Sequence, residues 1–307
     1  MKHYIEPILN QYFSCHQIIL ATYASYKERK YDMIFSESWG FQYEKNDNPF
    51  CVSLNPGYQN RRNLLFEKFH SIKITDTQYT DKEHLKNLIQ TILPDSPIIL
   101  NCDVFDCPWN ISYQRNHIDH YVLITGVDDK TKQFFILDPY STENENIIDI
   151  DNLAPDNGYI YSFETLPLNN LQIEDYRLEI ANNLDHIKNN SFFKNLENFY
   201  NEFQIRFDEV ILSEYTDIYA VPLIINLRRI SNQRYCHCIS LKKMVSENII
   251  DYSMVNIMES IAEKYGFLRT LLIKQIMKKK KNNECVGIIN EIIYNEYDIY
   301  EKMKAFI

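Results

Sequence analysis

Between Pro97 and Pro139 the chain carries three apolar runs, PIILNC, HYVLITGV and QFFILDP, rich in β-branched and aromatic residues. Runs of this kind read as strands. DDKT between the last two is a short polar turn, which predicts an antiparallel hairpin made by residues 120–138. In a hairpin the start of one strand lies beside the end of its partner, so His120 and Asp138 are expected to face each other. IIDIDNL and GYIYSF continue the strand character to about residue 163.

Upstream, residues 16–30, HQIILATYASYKERK, place Ile18, Ile19, Ala21, Thr22, Tyr23 and Tyr26 at helical spacing without Gly or Pro. This predicts a largely buried helix with Ser14 as N-cap, and it puts Cys15 at or beside the helix N-terminus. FSESWGFQYE, the loop ending in NPGYQN, and helices around residues 60–69 and 81–92 read as flanks of the sheet. After about residue 180 the apolar spacing is helical almost to the end. The expected class is α+β, with one part over residues 1–165 and a mainly helical part over 166–307, the boundary lying in the polar stretch 164–180.

Three reactive side chains therefore fall at telling places: Cys15 opening a helix, His120 opening a strand, and Asp138 closing the next. An ordinary thiol, with pKa near ~8.5, is only a few per cent thiolate at neutral pH, whereas a helix N-terminus and an adjacent imidazolium stabilise the anion. In that arrangement Cys15 is the nucleophile, His120 takes and returns the proton, and Asp138 orients the imidazole. Acyl chemistry also needs donors aimed at the developing oxyanion. The Cys15 amide is one; Asn10 and Gln11 are the side-chain candidates, and Gln11 is preferred.

Several other chemistries are disfavoured. A formal charge of −10 leaves too few Lys and Arg to cover a phosphate backbone, so no nucleic-acid partner is expected. No 18-residue apolar run and no charged-then-apolar leader is found, so no membrane partner and a cytoplasmic location are expected. Seven irregularly spaced cysteines fit reduced thiols. Cys236, His237 and Cys238 make a tight cluster, as do Cys102 and Cys107 around an acidic loop, but neither has the second ligand pair of a zinc site, and no metal is expected. Six glycines form no phosphate-cradling loop.

HYVLITGVDDKTKQFFILDPYS is similar to the His strand, turn and Asp strand of papain-like enzymes related to the bacteriocin-processing C39 peptidases. A closer resemblance is to the N-terminal domain of the butirosin biosynthesis acyltransferase family. It rests on SCHQIILATYASY, on FSESWGFQYE, and on PIILNCDVFDCPWNISYQRNHIDHYVLITGVDD, and covers roughly residues 10–140. Transglutaminase-like amide synthases, which also use a papain-like triad on carrier-bound acyl groups, are similar in the same way. The resemblance implies a papain-like fold and an acyl group delivered as a thioester on the phosphopantetheine of an acyl or peptidyl carrier protein. It further implies a small amine as acceptor and no other cofactor. Leu9 stands six residues before Cys15, where papain-like peptidases place a Gln, and no Gly follows Cys15. His117 also precedes the strand; His120 adjoins it and is the better match.

Overall fold

The computed structural model describes residues 2–57, 60–128, 130–212, 217–280 and 283–307. Among them six strands form one sheet: β1 (Ile72–Tyr79), β2 (Ile98–Asp103), β3 (Asp119–Val127), β4 (Phe134–Leu137), β5 (Asn146–Ile148) and β6 (Gly158–Thr165). Their order is β1-β6-β2-β3-β4-β5, and every neighbouring pair is antiparallel. The predicted hairpin is β3 with β4; Asp129 of its turn lies outside the described residues. The class is α+β, as expected. β1 lies outside the expected runs because only its end residues, Ile72 and Tyr79, are buried. What makes it a strand is eight residues of pairing with β6.

The chain divides into two compact units, Met1–Tyr31 with Asn63–Asn169, and Asp32–Arg62 with Asn170–Ile307. The first holds the sheet together with α1 (Cys15–Tyr26), α2 (Arg62–His70, from Asn63 on) and α3 (Lys82–Ile92). Leu85 and Ile89 of α3 enter one apolar core with Ile98, Leu100, Val122, Ile124, Ile136 and Ile160 of the sheet. Burying side chains of this size contributes about 1.5–3 kcal/mol each relative to exposure. α1 rests against β3 and β6: His16 lies beside Tyr121, and Tyr23 stacks on Phe163 with centroids 3.7 Å apart. The helix ends where Lys27 caps it and Glu28 turns left-handed at φ 54°.

The second unit contains α4 (Ile173–Asn189), α5 (Phe192–Leu212), α6 (Pro222–Ser246), α7 (Ser253–Lys278) and α8 (Glu284–Met303). The segment 32–62, expected to flank the sheet, packs with these helices instead. Its aromatic side chains are the reason: Trp39 and Phe41 meet Phe192 edge-on, and Phe41 and Tyr43 meet Phe199. Gly40 permits the close approach of Pro56 and Gly57 within this segment, since a Cβ there would stand 2.3 Å from the Pro56 carbonyl oxygen. Buried charge is paired in the same core, where Arg234 lies 2.9 Å from Glu296 and Trp39 Nε1 donates to Glu296 at 2.6 Å. No helix among the described residues is long and apolar enough to cross a membrane.

Candidate active site

Ser14 begins the site. Its extended backbone and side chain cap α1: Ser14 Oγ accepts from the Gln17 amide at 3.3 Å, and Gln17 Oε1 accepts from the Ser14 amide at 2.9 Å. This reciprocal pair is a capping box, spelled S-x-x-Q in the sequence, and it fixes where the helix starts. Cys15 is consequently the first helical residue, where backbone N–H groups have no intrahelical acceptor and the helix dipole favours an anion. Of the seven free cysteines, six are buried and Cys15 alone is partly exposed.

His120 and Asp138 are brought together by an irregularity in the hairpin. At the turn end β3 and β4 pair as Val127 with Phe134 and Gly126 with Phe135; beyond Thr125 they pair as Ile124 with Ile136 and Leu123 with Leu137. Thr125 is the extra residue of a β-bulge, held by its hydroxyl to the Phe135 carbonyl and to Glu145. Continued one residue, this register sets Asp138 opposite Val122, a diagonal neighbour of His120 on the same face. Without the bulge Asp138 would oppose Leu123 and point to the other face, because a one-residue slip reverses every side chain.

The result is a buried pair: His120 and Asp138 are 2% and 0% exposed, with His120 Nε2 2.8 Å from Asp138 Oδ2. Nδ1 is the ring nitrogen left over, and Cys15 is near enough for its charge to act on His120. Burial opposes the imidazolium, but hydrogen bonds and charge from Asp138 and Cys15 outweigh it and raise the His120 pKa to about 10. Burial likewise pushes the Asp138 carboxyl up, yet His120, Ser141 and Trp109 together hold it below its ordinary value. Trp109 Nε1 donates to the same Asp138 Oδ2 at 2.8 Å, and the Tyr140 ring lies 5.9 Å from that of His120.

The other sequence-predicted residues fall elsewhere. His117 is exposed, bonds to Asp103 at 2.7 Å and stacks on Phe105, so it belongs to a separate pair. Gln11 is exposed on the turn before α1. The carboxamide oxygen of Asn10 accepts the Tyr12 amide at 2.9 Å. Cys102 faces Cys107 at 3.8 Å, both buried. In α6, burial and the neighbouring Arg234 depress the His237 pKa to about 4, and burial pushes Cys238 up to about 12. No group of three or more His, Cys, Asp or Glu among the described residues could hold a metal ion. Trp109 has no role in the sequence reading; the visible signal is an aromatic in the CPWN loop before β3.

A helix-opening cysteine beside a buried imidazole-carboxylate pair on neighbouring strands is the arrangement of papain-like, C39-related proteins. Residues 19–162 match the sequence model of the Peptidase_C39 like family, just under half of the 307-residue chain. His120 and Asp138 lie inside that stretch and Cys15 lies four residues before it. The match suggests cysteine-dependent chemistry of the peptidase or transferase type. No curated protein sequence matches the chain.

Proposed function

We propose that this protein is a cysteine acyltransferase that joins a carrier-bound acyl group to an amine through an acyl-Cys15 intermediate. The observation that carries the reading is the His120 imidazole, buried between Asp138 and a partly exposed Cys15 at a helix N-terminus. Cys15 Sγ, as thiolate, attacks the thioester carbonyl; the phosphopantetheine thiolate leaves and takes the proton from His120. The amine then attacks the acyl-Cys15 carbonyl, His120 accepts its proton, and the Cys15 thiolate departs to restore the starting pair. The Cys15 amide, with Gln11 as the side-chain donor, would steady the oxyanion in both halves.

Transfer in place of hydrolysis requires a bound amine, since water competes at ~55 M and must be excluded from the acyl-enzyme. The net charge of −10 favours a cationic acceptor. An acidic carrier protein would in turn need a local basic patch; Arg228 with Arg229 and Arg61 with Arg62 are the candidates, Arg61 being already paired with Glu37 and Glu179. The supporting resemblance is to the butirosin-type acyltransferases over roughly residues 10–140. The cytoplasm is the proposed compartment.

A second reading is a C39-like cysteine peptidase or amidase, favoured by the family match over residues 19–162. A third is a catalytically silent module that binds a carrier protein. Incubating wild type and Cys15→Ala with acyl thioesters on carrier protein or a pantetheine mimic, with and without amines, separates the three by intact mass. An acyl adduct on wild type alone, discharged by amine to an amide, is expected. Cys15-dependent peptide cleavage without loading would replace transfer by hydrolysis, and neither reaction across a broad panel would favour the binding module.

A further inference from the structure

Two N–H groups meet one oxygen of the Asp138 carboxylate, and only one of them is the histidine. Trp109 Nε1 and His120 Nε2 both lie 2.8 Å from the same oxygen, Oδ2. A carboxylate bound only by an imidazole can rotate about χ2 and exchange its oxygens. A second donor on the same oxygen removes that freedom.

The loop carrying Trp109 is itself tied to the turn carrying Asp138. Asn110 Nδ2 donates to Ser141 Oγ at 2.8 Å, and the Ser141 and Thr142 amides close the turn on the Asp138 carbonyl at 3.1 and 3.0 Å. At its other end, Cys107 bonds back to Val104 and Asn110 to Cys107 through the backbone. Trp109 also packs against the apolar core of the sheet, so its indole is held by its body as well as by its N–H.

We propose that Trp109 is a positioning residue: its indole N–H fixes the Asp138 carboxylate in the orientation that aligns His120 with Cys15. The inference rests on the Cys15–His120 reading of the site. Trp109 touches no reacting atom in this scheme. It acts through Asp138, stabilising the charged carboxylate with a hydrogen bond of the kind that is strongest when the acceptor is ionised.

The test is the pH profile of Cys15 alkylation by iodoacetamide, followed by intact mass, in wild type and Trp109→Phe. Phe keeps an aromatic ring, smaller than the indole, and lacks the donor. In Trp109→Phe the acidic limb is expected to move up by about one pH unit, the size of one hydrogen bond to a charged group. Thermal unfolding should stay close to wild type, because the indole is only partly buried. Coincident limbs in the two proteins would overturn the role of Trp109 while leaving the Cys15–His120 pair intact. A wild-type profile that His120→Ala leaves unchanged would instead remove the pair, and the role of Trp109 with it. A second measurement needs no change at Trp109: one of the two indole ¹⁵N–¹H signals is expected to shift on Asp138→Asn, and two unmoved signals would contradict the bond.

Discussion

Two places in this protein set a cysteine next to a histidine, and they come out electrostatically opposite. At Cys15 and His120, burial is outweighed by Asp138 and by the thiol, and the imidazole pKa rises to about 10. In α6, His237 sits between Cys236 and Cys238 in sequence, is fully enclosed, and lies 3.4 Å from the Phe35 carbonyl and beside the Trp39 ring, with Arg234 as its charged neighbour. Burial, with Arg234 adding to it, drives that imidazole down to about 4. The residue types are alike; the carboxylate partner and the helix terminus decide which cluster can hold a thiolate.

The contrast is broken most decisively by counting reactive thiols. Under native conditions at neutral pH a thiol-directed electrophile is expected to add once to wild type and not at all to Cys15→Ala. In denaturant all seven and the remaining six cysteines respectively should react. Native labelling at Cys236 or Cys238 would erase the distinction. Next, His120→Ala is expected to slow Cys15 alkylation at pH 6 by at least about tenfold, because the neighbouring imidazolium is removed. His237→Gln should leave that profile unchanged, and an equal loss in both variants would show that the effect is not local.

Stability sharpens the comparison further. Arg234→Met strands Glu296 as an unpaired buried carboxylate, which is expected to cost about 3–5 kcal/mol in urea unfolding. A loss below about 1 kcal/mol would mean that Glu296 is neutral or hydrated. The two histidines should also give opposite pH slopes. His237 has its folded pKa depressed, so its contribution is complete above the unfolded value near ~6.5 and is lost as pH falls toward about 4. The difference between wild type and His237→Gln should therefore shrink by about 1–3 kcal/mol over that window. His120 has its folded pKa raised, so its contribution is complete below ~6.5 and is lost as pH rises through about 10. Parallel slopes from the two variants would contradict the assignment.

The elements that build the site were readable where the information is local. Ser14 and the apolar spacing of residues 18–26 mark α1, and the strand character around DDKT marks the hairpin, so Cys15, His120 and Asp138 could be placed from the sequence. The bulge at Thr125 could not, although it decides which face Asp138 shares. It depends on contacts with Phe135 and Glu145 that no sequence period encodes. The placement of 32–62 was hidden for a related reason. Trp39, Phe41 and Tyr43 alternate like a strand, but their partners lie more than 140 residues away, on α5 and beyond. Trp109 was visible only as an aromatic, since its bond to Asp138 spans two loops.

The most direct test is an NMR titration of the His120 ring nitrogens, with His120→Gln used for assignment and Cys15→Ala run beside wild type. The account predicts that His120 keeps both ring protons to about pH 10 in wild type and loses one at a lower pH once the thiol is removed. A wild-type ring that deprotonates near the ordinary value of ~6.5, unchanged by Cys15→Ala, would contradict it.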